Sequence, residues 1–233
     1  MDPLIHCFLE DYMVGDPSRK ASLFDQIARV GKALGHGKRL ELLDLLAQGE
    51  RSVEVLAQTA GLGVTSTSAH LQTLKHGGLV STRRDGTRVL YSLAGTDVVE
   101  LYARLRSVAA THLADVQAAV AAYLGEHTEE VTRDELLERA ASGKVTILDV
   151  RPKEEYDAGH IPGSVCIPID ELPDRLNELP ADAEIVAYCR GAYCVFAPEA
   201  VRLLTGNGLQ ARRLTEGMLE WQVDGLPVET SDQ

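Results

Sequence analysis

The segment Tyr188-Cys189-Arg190-Gly191-Ala192-Tyr193-Cys194 places two thiols, a cation and a glycine within one short run. Thiolate is the nucleophilic form of cysteine, and its population rises beside positive charge and at the start of a helix. The run follows an apolar stretch at 184–188 and precedes a helical pattern over 195–205, so it reads as a loop leaving a buried strand and entering a helix. Such a loop turns successive backbone N–H groups inward, and a thiolate or persulfide on Cys189 is expected to meet several of them. Arg190 adds positive charge, and Gly191 permits tight curvature.

A second chemistry-bearing set lies upstream. Thr65-Ser66-Thr67-Ser68, followed by His70 and Gln72, opens a helix predicted over 65–76; short hydroxyls let a backbone approach closely, and the longer side chains can read base edges. Arg83, Arg84 and Arg88 bracket Asp85-Gly86, the dipeptide suited to a tight hairpin between strands at 79–83 and 88–93. Three cations on a small protrusion repel one another unless a polyanion lies nearby. Upstream, helical spacing over 16–47 is divided by Gly35-His36-Gly37, and a short helix follows Ser52 and stops at Gly61 and Gly63. Helix, short helix, turn, helix, hairpin is the order of a winged helix-turn-helix, whose second helix enters the major groove.

The charge distribution agrees with two unlike modules. A net charge of −12 opposes nucleic-acid binding for the chain as a whole, but residues 20–112 carry +4, against −3 for 1–19 and −13 for 113–233. A basic segment joined to a strongly acidic one fits a DNA-facing module beside one kept off the phosphate backbone. Between them, Val98, Tyr102, Leu105, Ala109, His112, Val116, Ala119 and Tyr123 alternate four-three spacing, predicting one long helix over 96–124 whose seam pairs with a second copy.

The expected organisation is an N-terminal extension at 1–17, a mainly-α winged-helix domain at 18–124, a linker at 125–131 and an α/β domain at 132–229. In the last, strands at 145–150, 184–188 and 211–214 alternate with helical segments near 132–142, 153–158, 171–178 and 195–205, which predicts a parallel sheet. No apolar run is long enough for a membrane span, and with four cysteines in 233 residues a disulfide framework is not expected; the expected compartment is the cytoplasm. Cys166 reads as a packed strand residue, and Cys7 as part of an amphipathic N-terminal helix.

The residues Ala33-Leu34-Gly35-His36-Gly37-Lys38-Arg39-Leu40, Ala69-His70-Leu71-Gln72-Thr73-Leu74 and Arg88-Val89-Leu90-Tyr91 closely resemble the ArsR family of bacterial winged-helix repressors, over about residues 18 to 124. That resemblance implies a homodimer, a palindromic double-stranded operator and derepression by an inducer. The helix at 52–60 lacks the cysteines of the family's thiolate metal sensors, and His112 with Asp115 gives only a fragment of its other metal site, so a metal- or arsenic-responsive regulator ranks last and no metal is expected.

Leu148-Asp149-Val150-Arg151-Pro152, His160-Ile161-Pro162-Gly163-Ser164, the cysteine loop and Glu216-Gly217-Met218-Leu219-Glu220-Trp221 together resemble a rhodanese domain over about 129 to 229. By that resemblance Cys189 carries a sulfane sulfur as a persulfide, residues 190–194, including Ala192 and Tyr193, form its cradle, and Asp149 and Arg151 support the edge of the site. The cradle's last position, commonly basic in thiosulfate-using rhodaneses, is Cys194, which leaves three roles open: closing a disulfide with Cys189, closing a polysulfide bridge, or packing at a helix start. The leading reading is a DNA-binding regulator that senses sulfane sulfur or thiol oxidation. The alternative is a sulfurtransferase acting on thiosulfate, polysulfide or persulfide, with the winged helix serving for recruitment.

Overall fold

The computed structural model describes residues 17–125, 127–143, 145–180 and 182–231. Cys7 and the expected N-terminal amphipathic helix lie outside the described residues. Helices α1 (Pro17–Leu34) and α2 (Gly37–Leu46) are separated at Gly35-His36, where the His36 ring nitrogen accepts from the amide of Lys38 at 3.1 Å and so caps α2. Strand β1 (Arg51–Ser52) leads into α3 (Val53–Thr59), capped by Ser52, and then α4 (Val64–His76). Strands β2 (Val80–Asp85) and β3 (Arg88–Leu93) form the hairpin; Gly86, at φ 57, occupies the left-handed position the turn requires. The three-stranded sheet runs β1-β3-β2, with Arg51 opposite Tyr91.

The long helix expected over 96–124 is two helices, α5 (Thr96–His112) and α6 (Ala114–Leu124), broken at Leu113, which is extended at φ −115, ψ 103. The Gln117 side chain donates to the carbonyl of Ala110 at 3.0 Å and so satisfies one acceptor released by the break. The seam divides accordingly. Val98 and Tyr102 are buried in their own domain's core with Leu42, Leu43, Leu71 and Leu74, whereas His112, Ala119 and Tyr123 stay exposed, as do Leu101, Val108 and Leu113 outside the seam. On α1 only Ala33 is buried, and Leu23, Phe24 and Ile27 are each more than half exposed.

The second domain is a five-stranded parallel sheet in the order β4-β8-β7-β5-β6, from β4 (Glu130–Val131), β5 (Val145–Asp149), β6 (Val165–Cys166), β7 (Glu184–Tyr188) and β8 (Ala211–Leu214). Helices α7 (Arg133–Ala141), α8 (Lys153–Ala158), α9 (Phe196–Gly206) and α10 (Met218–Val223) complete it. The helix expected near 171–178 is two 3-10 turns, Leu172–Asp174 and Leu176–Glu178, with Pro173 inside the first where it has no amide to donate. Glu130 and Val131, read as linker, pair with β8 instead; two residues are too few to show a periodicity. Apolar clusters cover both faces of the sheet, as its continuous apolar strands require.

Candidate functional site

After β5 the chain continues to the edge strand β6 and then returns to β7 on the other side of β5, so the carboxyl ends of β5 and β7 flank the crevice in which open α/β sheets bind ligands. Cys189 follows β7 directly. It is 1% exposed and is joined by a disulfide to half-buried Cys194, with 6.1 Å between their Cα atoms. The two sulfurs are thus brought together on one loop, and Cys194 is the member that solvent reaches.

Two of the loop amides expected to face Cys189 are engaged by other groups. The Cys194 amide donates to the Gly191 carbonyl at 3.0 Å, and the Ala192 amide donates to Glu220 at 3.5 Å. The Arg190 guanidinium lies over Phe196 and is held on the buried carboxylate of Glu155 at 2.7–3.0 Å. A neutral disulfide in an apolar cluster requires no counter-charge. Cys166 sits half-buried on β6, where burial and then the charge of Asp149 push its thiol up to about 11, so it stays protonated and unreactive near neutral pH.

Asp149 and Arg151 form a closed pair at the end of β5. Arg151 is fully buried; its guanidinium reaches both carboxylate oxygens of Asp149 at 2.6–3.1 Å, the Gly159 carbonyl at 2.8 Å and Gln48 of the winged-helix domain at 3.0 Å. Gln48 in turn donates to the Arg190 carbonyl at 3.3 Å. The cysteine loop is therefore a domain-junction loop.

Arg190 and Tyr193, between the two cysteines, both take part in that junction. Arg190 shares Glu155 with Arg51 of β1, whose guanidinium approaches the same carboxylate at 2.7 Å. Tyr193 lies under the guanidinium of Arg106 on α5, 4.4 Å from its ring centre, and Arg106 also pairs with Glu220 at 3.2 Å and Asp44 at 3.6 Å. Burial pushes the Glu220 carboxyl above its usual range, and the Arg106 charge opposes that rise. Leu219 of α10, fully buried, packs into the winged-helix core, a contact worth about 1.5–3 kcal/mol.

Gly217 is where the loops approach most closely. The amides of Met218 and Leu219 donate to the carbonyls of Cys189 and Arg190 at 2.9 Å, and a Cβ on Gly217 would lie 2.5 Å from the Cys189 carbonyl oxygen. Gly217→Ala is therefore expected to lose about 1–3 kcal/mol of stability, read as a lower urea midpoint. An unchanged midpoint would contradict this packing.

On α4, Thr65, Ser66 and Gln72 are exposed, while Ser68 and His70 are half-buried. The His70 ring lies against His36, 4.6 Å between centres, and burial lowers its pKa. Gln72 donates to the Tyr91 hydroxyl at 3.3 Å, tying the helix to the hairpin. The three hairpin arginines are all exposed, but Arg83 is paired with Glu50, whereas Arg84 and Arg88 make no ion pair among the described residues. The hairpin register sets Arg84 on the face of Tyr91, toward α4, and Arg83 and Arg88 on the other.

Residues 36–82 match the family described as bacterial regulatory protein, arsR family, and residues 132–224 match the rhodanese-like domain. The chain is 58% identical over 217 residues to HTH-type transcriptional regulator Rv0324 of Mycobacterium tuberculosis, covering 93% of this chain and 96% of that one. The chain is an ArsR-family transcriptional regulator with a rhodanese-like domain. The regulator's second domain is also 30% identical over 100 residues to a sulfurtransferase of Allochromatium vinosum, covering 42% of this chain and 92% of that protein. Its first domain is 57% identical to the solution structure of a homodimeric winged helix-turn-helix DNA-binding domain, Mb0332 of Mycobacterium bovis, covering 43% of this chain and 94% of that one at a TM-score of 0.40. Among the regulator's described residues no helix is long and apolar enough to cross a membrane, and no cluster of His, Cys, Asp and Glu could hold a metal ion.

Sequence reasoning missed the regulator's junction residues Gln48, Arg51, Arg106, Glu155 and Glu220. Glu220 lies in a stretch that carries the rhodanese resemblance, but nothing local marks any of the five as a junction residue. The one available signal was Arg106, a charge beside Leu105 of the seam and four residues after Tyr102.

Proposed function

We propose that the regulator is a homodimeric operator-binding repressor whose Cys189–Cys194 pair senses sulfane sulfur, and that closing the pair weakens DNA binding. The observation that carries this reading is that the loop bridged by the two cysteines is the loop that docks on the winged-helix domain. In the dithiol form, in which the loop is released from its docked shape and a donor reaches Cys189, the Cys189 thiolate attacks the outer sulfur of a persulfide or polysulfide; a Cys189 persulfide forms and the donor departs as a thiolate. The Cys194 thiolate then attacks the inner sulfur, expels hydrosulfide and leaves the disulfide. The dithiol loop lacks the bridge that holds the docked shape.

The exposed apolar faces of α1, α5 and α6 support a dimer, because Leu23, Phe24, Ile27, Val108 and Leu113 would otherwise stay in water. The pairing of Arg83 with Glu50 supports weak DNA binding by the docked form, since it removes one cation from the hairpin. Operator affinity measured on dithiol, disulfide and polysulfide-treated protein should differ by about 5–150-fold between the first and the others. Equal affinities would reject sensing. Catalytic turnover of thiosulfate or a persulfide donor with no change in affinity would favour the sulfurtransferase alternative, which the resemblance to a sulfurtransferase keeps in view.

The DNA-facing residues in this reading are Thr65, Ser66 and Gln72 of α4 with Arg84 and Arg88 of the hairpin; Ser68 and His70 flank them. Arg84→Ala is expected to lower the slope of log affinity against log salt by about one. Arg83→Ala should change it less, because Glu50 already neutralises that cation. Equal slopes for Arg84→Ala and the parent protein would remove Arg84 from the phosphate contacts.

A further inference from the structure

We propose that Glu155 is the residue through which the state of the Cys189–Cys194 pair reaches the DNA-binding surface. The proposal rests on the sensing reading above and names its route. Glu155 lies on α8, its side chain is fully buried, and its carboxylate is held from two sides. Arg190, the residue next to Cys189, makes three contacts with it at 2.7–3.0 Å. Arg51 approaches it from β1 at 2.7 Å through Nη2, and the buried Arg51 Nε has no hydrogen-bond partner.

One carboxylate shared by two arginines is a balance, because any displacement of one cation changes the field and the geometry met by the other. Arg190 is covalently tied to the cysteine pair, and opening that pair frees the loop on which its guanidinium is carried. Arg51 stands opposite Tyr91 in the β1–β3 pairing, and the Tyr91 hydroxyl accepts from Gln72 on the DNA-facing helix. Arg51 also adjoins Glu50, the partner of Arg83 in the hairpin. A shift of β1 therefore reaches both α4 and the hairpin arginines through contacts that are hydrogen-bonded or adjacent in the chain.

The alternative route, through Arg106 to Tyr193 and Glu220, ends on α5 and would act on the dimer and not on the hairpin. The Glu155 route makes a different demand on experiment: substitution should uncouple the two ends and spare each of them. Spatial continuity alone does not establish coupling, so the test is a cycle of variants.

Glu155→Gln and Arg51→Met, singly and together, are compared with the parent protein in full-length form. Disulfide formation is followed by intact mass, folding by circular dichroism, and operator binding in the dithiol and disulfide states. In the parent protein the ratio of the two affinities should be about 5–150-fold. In each single variant it should fall below about 2-fold, with the mass change and dithiol-state binding kept, and the double variant should lose no more than either single one. Should Glu155→Gln not fold, Arg51→Met carries the same expectation, since it removes the cation and leaves Glu155 paired with Arg190. A parent ratio of one would overturn the sensing reading and this route with it. A parent ratio within the expected range that survives intact in the folded variants would overturn this route alone.

Discussion

Cys189→Ser protein is expected to bind operator DNA with one affinity before and after polysulfide treatment, where the parent protein changes by about 5–150-fold. The serine hydroxyl has nearly the shape of the thiol, so the β7 end and its apolar cluster should survive, and the hydroxyl cannot close a bridge to Cys194. Cys194→Ser separates the two steps of the sulfur chemistry: uptake on Cys189 should continue, resolution should stop, and peptide mapping should find the persulfide retained on Cys189. If Cys189→Ser protein still responded to polysulfide, the responding sulfur would lie elsewhere, with Cys194, Cys166 and Cys7 the remaining thiols. Cys166 is disfavoured by its raised pKa.

The largest stability loss is expected from Arg151→Ala. The change deletes a fully buried guanidinium and leaves the Asp149 carboxylate, itself 0% exposed, with only the amide of Arg151 at 3.0 Å and the Tyr188 hydroxyl as donors. Breaking a buried pair by removing one member costs about 3–5 kcal/mol, a large part of the roughly 5–15 kcal/mol that holds a typical domain folded. The loss also frees Gln48, so the junction with the winged-helix domain should loosen together with the sheet. Urea unfolding followed by far-ultraviolet circular dichroism measures the effect. Removing both partners as Asp149→Asn with Arg151→Met should restore part of the loss, and a single-variant loss below about 1 kcal/mol would show that the pair is not holding the β5 end.

Elements with a local cause were legible from sequence. Gly35-His36-Gly37 divides the first two helices, Asp85-Gly86 turns the hairpin, and apolar runs at 145–149 and 184–188 become the central strands. The cysteine loop could be located between strand and helix because both flanking patterns are strong. Its docking could not, since contacts such as Arg51 with Glu155 or Arg106 with Glu220 join positions more than 100 residues apart. The break at Leu113 had no glycine or proline to announce it. Val98 and Tyr102 belong to the same periodic seam as residues that face outward, so spacing alone could not separate core from partner face. A loop's amides can be read as available from its sequence position, but that Glu220, arriving from a distant helix, accepts from the amide of Ala192 could not be read there.

The central claim is a free-energy coupling between the cysteine pair and the operator, and such a coupling is reciprocal. The most direct measurement is the reduction potential of the Cys189–Cys194 pair in the full-length protein, free and with saturating operator DNA. If the dithiol form binds DNA about 5–150-fold more tightly, the operator must stabilise the dithiol and raise the potential by about 20–65 mV, at about 30 mV per tenfold. A potential unchanged by operator DNA would contradict the account, and a fall would show that closing the bridge tightens binding.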